Sequence, residues 1–136
     1  MNVKLIADIT ILSGNSILLV RYKDNNKYDL QSGWFLPDDS ISEFEHPDKA
    51  VLRILKEQLG IENQNVKLDH IESFKGNDKS WHLVFHYKLQ LDKEILIAPD
   101  ENIEKFEWFD LNNLPVEKEI AHHGWAKYTI EKMLRV

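Results

Sequence analysis

A chain of 136 residues with a formal net charge of −6 and no cysteine is sized for one globular domain spanning residues 1–136. That composition excludes disulfides and thiolate metal sites and fits a reducing, cytoplasmic setting. Without a dense basic stripe it also argues against duplex nucleic acid, whose phosphates are gripped by cations that displace counterions. A small phosphorylated ligand stays open, because a divalent cation can bring the positive charge.

The opening apolar run, MNVKLIADITIL, is short and broken by Asp8, so neither a signal peptide nor a membrane span is expected. Val3 to Leu12 reads as a strand, with Val3, Leu5, Ala7, Ile9 and Ile11 on one face. A turn at Ser13-Gly14-Asn15 leads into a returning strand, Ser16 to Lys23, apolar enough to be buried on both faces. Asp24 to Ser32 is polar and reads as a loop, and Gly33 to Leu36 as a short strand. Pro47 to Leu59 is a helix: Pro47 suits its first position, Asp48 the positive end of its dipole, and Gly60 its C-terminal cap. Strands follow at Asn65 to Lys75, Ser80 to Leu91 and Glu104 to Phe109, with a turn at Gly76-Asn77-Asp78. In the middle one, Trp81, Leu83, Phe85, Tyr87, Leu89 and Leu91 face one way, and His82, Val84, His86, Lys88 and Gln90 the other. After a connection at Asp110 to Pro115, Glu117 to Leu134 is the closing helix. Strands before, between and after two helices predict a mixed sheet with helices on its faces.

On the first helix, Ala50, Val51, Leu55 and Leu59 form an apolar stripe, and Arg53 and Glu57 lie away from it, four residues apart. On composition alone Ile54 is a core residue and Arg53–Glu57 a surface ion pair of small energetic weight. The spacing around this helix is less ordinary. Asp39 is followed by five residues and Glu45, then by seven and Arg53, then by Leu55, Glu57, Gly60 and Ile61.

That pattern resembles the signature of the Nudix hydrolases: a glycine, five residues, a glutamate, seven residues, Arg-Glu, an apolar residue, any residue, Glu-Glu, any residue, a glycine and an apolar residue. The matching positions are Glu45, Arg53, Leu55, Glu57, Gly60 and Ile61. The stretches SILLVRYK, GWFLP and ENIEKFEWFDLNNLP resemble the family's second strand, the strand entering its loop, and its late strand. The resemblance implies a Nudix-type α/β/α sandwich with a mixed central sheet. It also implies Mg²⁺ or Mn²⁺, held by helix glutamates, polarising a diphosphate and activating water. The departures fall on that chemistry. Pro37-Asp38-Asp39 replaces Pro-Gly-Gly, Ile54 replaces the glutamate after the arginine, and Gln58 replaces the second of the glutamate pair. Magnesium favours an octahedron of oxygen donors. Ile54 supplies none, and Gln58 supplies a neutral one. The metal set expected here is therefore Glu57 with Asp38 and Asp39, for which turn capping is the competing reading. Glu45 and Arg53 are expected to tie the loop to the helix.

His122, in HHGWAKY, resembles the neighbourhood of the general base in a Nudix branch, the GDP-mannose mannosyl hydrolases. A histidine suits that role because its ordinary pKa is near neutrality; a solvated loop histidine is the alternative. Arg21 is a candidate phosphate contact or an exposed strand charge. Trp34 and Tyr28 are candidates to stack on a base, with core packing competing for Trp34. His82 and His86, roughly 13 Å apart along a strand, are too distant to share an ion, and a sheet surface is expected for both. Trp81, Trp108 and Trp125 read as packing residues. The resemblance implies a pyrophosphohydrolase or nucleotide-sugar hydrolase with an impaired catalytic box, acting on or binding a nucleoside diphosphate linked to another group. A non-catalytic nucleotide-binding domain and a protein-interaction domain are the alternatives. No membrane partner is expected, and a homodimer is allowed without being selected by any residue.

Overall fold

The computed structural model describes residues 2–24 and 32–134. Strands β1 (Val3–Ser13) and β2 (Ser16–Tyr22) form the first hairpin, yet they pair only beside its turn, at Leu12↔Ile17 and Ser13↔Ser16. Beyond that they splay, and residues 34–40 fill the gap. Phe35 exchanges hydrogen bonds of 2.8 and 3.0 Å with the backbone of Val20, and the Pro37 carbonyl accepts from Ile9 N at 3.1 Å. Strand β3 (Asp38–Ser40) then pairs antiparallel with β1, placing Asp38 beside Asp8 and Asp39 beside Ala7. The short strand expected at Gly33 to Leu36 is thus reduced to bridges at Trp34 and Phe35, and the named strand begins at the two aspartates. Neither aspartate has a positive φ. Without glycine there, the chain runs extended and satisfies its backbone on β1.

On the other side of β1 lies β5 (Trp81–Leu91), parallel to it, followed by β4 (Lys67–Lys75), antiparallel to β5. Strand β6 (Ile103–Asp110) pairs antiparallel with β2, giving the order β4-β5-β1-β2-β6 with β3 on β1. β1 is therefore central and buried on both faces from Ala7 onward.

Helix α1 (Pro47–Leu59) covers one face. The His46 side chain caps its start, accepting from Asp48 N at 3.0 Å, and Gly60, at φ 69°, closes its end with its N–H on the Leu55 and Lys56 carbonyls. Ala50, Val51, Ile54, Leu55 and Leu59 pack with Ala7, Ile9, Ile11, Leu18 and Val20. Each large side chain so buried contributes roughly 1.5–3 kcal/mol. The Tyr87 hydroxyl donates to Asp48, joining β5 to the start of the helix.

Helix α2 (Ala121–Leu134) covers the other face, with Ala126 and Ile130 among Leu12, Ile17, Leu19 and Trp34. The closing helix does not run unbroken from Glu117. Glu117–Glu119 is a 3₁₀ turn, and Ile120 is extended (φ −100°, ψ 132°). The cause is Trp34. Its N–H donates to Glu119 O at 2.9 Å, and its carbonyl accepts from Ala121 N at 3.0 Å. The approach is close enough that a side chain at Gly33 (φ 110°) would put its Cβ 2.6 Å from Glu119 O.

The double cover also corrects the reading of β5. Tyr87, Leu89 and Leu91 are buried toward α1, while His82 and His86 are buried beneath α2, His86 completely. An interior strand of a two-sided sandwich has no solvent face to give them. Trp81, near the end of the sheet, is exposed instead of packed, whereas Trp108 and Trp125 are half-buried.

Candidate active site

Two hollows flank β3. Along a strand, adjacent side chains point to opposite faces, and this separates the two aspartates. Asp39 faces α1 and lines a hollow of about 430 Å³ with Tyr22, Glu57, Gln58, Asp100 and Asn102. Asp38 lines a larger cleft, of about 570 Å³, on the α2 side. Its walls include Asp8, Trp34, Phe74, His122 and Trp125. The strand thus brings Asp39 and Glu57 together and sends Asp38 elsewhere.

Around Glu57 the electrostatics centre on Arg53. Its Nε and Nη2 grip Glu45 at 2.9 and 3.0 Å, Nη2 also donates to Ser40 O at 2.9 Å, and Nη1 donates to Asp39 at 3.1 Å. Glu57 lies 3.9 Å from the same Nη1 and is largely exposed. The Arg53 hydrogen bond holds the Glu45 carboxyl below its ordinary range against the opposing effect of burial, and Glu45 and Asp39 keep Arg53 charged. Glu45 and Arg53 do join loop to helix, by a bidentate pair that is strong for its type.

The two altered positions are built into the fold. Ile54 is 1% exposed and belongs to the core. Gln58 is nearly as enclosed. Its Oε1 accepts from the Tyr22 hydroxyl at 2.7 Å, and its Nε2 donates to the Asp38 carbonyl at 2.8 Å. The same hydroxyl accepts from Asp38 N at 3.1 Å. This latch fastens α1, β2 and β3 together and occupies the oxygen that would otherwise face the hollow. What remains in the hollow is the exposed carboxylate of Glu57 and that of Asp100, with Asp39 committed to a guanidinium that repels cations. Those residues do not fit a magnesium ion held by protein oxygens alone.

The remaining predicted residues lie apart. His122, at φ 55°, packs edge-on against Phe35 with ring centroids 5.7 Å apart and lines the aromatic cleft. Trp34 borders that cleft but is 5% exposed, and the Arg21 guanidinium sits over its ring at 4.7 Å. Tyr28 lies outside the described residues. Phe74, His82 and Trp125 are among the cleft residues that the sequence did not single out as functional. They come from β4, β5 and α2, so no local pattern could have grouped them.

The sequence matches the NUDIX domain family over residues 4–133, and the chain belongs to that family, whose members generally use divalent cations. Its fold is similar to a MutT NUDIX hydrolase from Burkholderia pseudomallei (20% identity, TM-score 0.80, covering 99% of this chain and 100% of that one). It is also similar to a NUDIX-family hydrolase from Clostridium perfringens (16% identity, TM-score 0.70, 98% and 97%). A third likeness is to the NUDIX domain of Shewanella oneidensis NrtR complexed with ADP ribose (16% identity, TM-score 0.74, 99% and 90%). No protein of curated function matches the sequence. No helix among the described residues is long and apolar enough to cross a membrane.

Proposed function

We propose that this Nudix chain binds a nucleoside diphosphate linked to another group, of the ADP-ribose type, and that its altered box leaves it without efficient metal-dependent hydrolysis. The observation that carries the reading is the fate of the two lost acids. Ile54 is core and Gln58 is a latch, while an aromatic-walled cleft stays open on the other side of β3. Trp125 and Phe74 offer ring faces for a base. Lys75, on the cleft wall, and the nearby Arg21 offer cations for the diphosphate. Mg²⁺ or Mn²⁺ enters as the counter-ion of the diphosphate, which offsets the acidic walls at Asp8 and Asp38. A structural neighbour that holds ADP ribose supports the ligand class.

A second reading rests on the hollow where Asp39, Glu57 and Asp100 meet. There a rebuilt hydrolase would recruit Asp39 away from Arg53, without His122, which lines the cleft on the opposite side of β3. Calorimetry with ADP-ribose, ADP and a nucleotide sugar, with and without Mg²⁺, separates the two when run beside a hydrolysis screen with Mg²⁺ and Mn²⁺. The binding reading expects saturable 1:1 binding and no product above the metal blank. Metal-dependent turnover that Glu57→Gln abolishes would establish the second reading instead, and absence of binding would sink the first.

A further inference from the structure

A row of ionisable side chains crosses the sheet on the face turned away from α1. Asp8, His86 and His70 are direct cross-strand neighbours on β1, β5 and β4, and Glu72 lies two residues beyond His70 on the same face. The box helix α1 lies on the opposite face of the sheet. His86 is completely buried and Asp8 nearly so. His70 and Glu72 keep about 15% and 16% of their side-chain surface, which leaves a path from solvent.

The orientation of the rings is the informative feature. His86 Nδ1 lies 2.7 and 3.0 Å from the two Asp8 oxygens, and His70 Nδ1 lies 2.6 Å from Asp69. A carboxylate on Nδ1 fixes each proton there and leaves the Nε2 lone pair free. Metal-binding histidines are held by this second interaction. Both Nε2 atoms and Glu72 Oε1 are buried, lie within 4.8 Å of one another, and make no well-aligned hydrogen bond. Glu72 Oε1 approaches His86 Nε2 at 2.8 Å and His70 Nε2 at 3.6 Å, contacts that are ion pairs when the rings are protonated and a ligand set when they are neutral. Ligand atoms around one tetrahedral ion, with bonds near 2 Å, stand roughly 3.3 Å apart, between those two values. Charge points the same way. Asp8 and Glu72 place two carboxylates in a low-dielectric pocket, and a divalent cation neutralises both.

We propose that His70, Glu72 and His86 bind a divalent transition-metal ion of the zinc class, with Asp8 and Asp69 as positioning residues. Two imidazoles and a carboxylate suit zinc better than magnesium, which avoids nitrogen donors. A water completes the tetrahedron from the exposed side. The site joins β4, the edge strand, to the interior through β5 and β1, on the opposite face from the box helix.

The full-length chain, stripped with a chelator and shown folded by circular dichroism, tests this with Zn²⁺ in competition with a chromophoric chelator and with Co²⁺ as a spectroscopic probe. One ion per chain and the visible absorption of four-coordinate Co²⁺ are expected. His70→Gln and Glu72→Gln, both at partly exposed positions, should each weaken Zn²⁺ binding at least tenfold. Asp8→Asn should weaken it by about 10–100-fold, and Glu57→Gln should leave it unchanged. The proposal is overturned by folded wild-type protein that takes up no stoichiometric ion, by affinity indifferent to both His70→Gln and Glu72→Gln, or by loss on Glu57→Gln.

Discussion

Gln58 carries the change of role most plainly. Where a Nudix box places an acid, this chain has an amide that donates to one partner and accepts from another, which a carboxylate cannot do. Tyr22→Phe removes the hydroxyl that bonds both Gln58 and the Asp38 backbone. It should lower the unfolding free energy by about 1–3 kcal/mol, measured by urea denaturation. The Arg53–Glu45 pair predicts a pH effect. The folded-state pKa of Glu45 is depressed, so its contribution is present above the unfolded value of about 4.3. It is lost as pH falls through the lower folded value. Urea midpoints followed down through that window should fall less steeply for Glu45→Gln than for the wild type.

At the scale of elements, the junction between Trp34 and α2 decides how the cleft is walled. Gly33 is needed there twice, for its φ of 110° and for the backbone carbonyl its Cβ would strike. Gly33→Ala is expected to cost about 1–3 kcal/mol. It should also raise hydrogen exchange at the Ala121 amide, which bonds Trp34 O. Helix α1 is constrained differently, through its buried stripe. Ile54→Glu places an unpaired charge in the core and should cost several kcal/mol in chemical denaturation, whereas Ile54→Val should cost about 0.5–1.5 kcal/mol. Restoring the acid at Ile54 therefore tests the scaffold before it tests chemistry.

Across the whole molecule the sheet divides two sets of residues. Toward α1 lie the altered box, its arginine clamp and the smaller hollow; toward α2 lie the aromatic cleft and the histidine row. β1 serves both, because alternate residues of one central strand reach opposite faces: Ala7, Ile9 and Ile11 on one, Asp8 on the other. The ligand proposed for the cleft depends on ring faces that only assembly supplies. Trp125→Ala should weaken ADP-ribose binding by about 1–3 kcal/mol, the usual weight of stacking on a base. Calorimetry on the folded variant would measure this.

Much of this was legible from local signals. The α1 cap at Gly60, the Arg53–Glu45 spacing, the first hairpin and the Nudix resemblance follow from patterns within a few residues of one another, where backbone preference and helical geometry act directly. The two-sided sandwich and the burial of Ile54 were also within reach. The chain could not reveal in one dimension that Asp38 and Asp39 would part. Their divergence follows from pairing with β1, a partner some thirty residues away, which turns an expected turn into a strand. Nor could it align Asp8, His86 and His70, because that row exists only through cross-strand register. Spacing along the chain determined the helix and its family, and long-range strand pairing alone decided which side chains face one another.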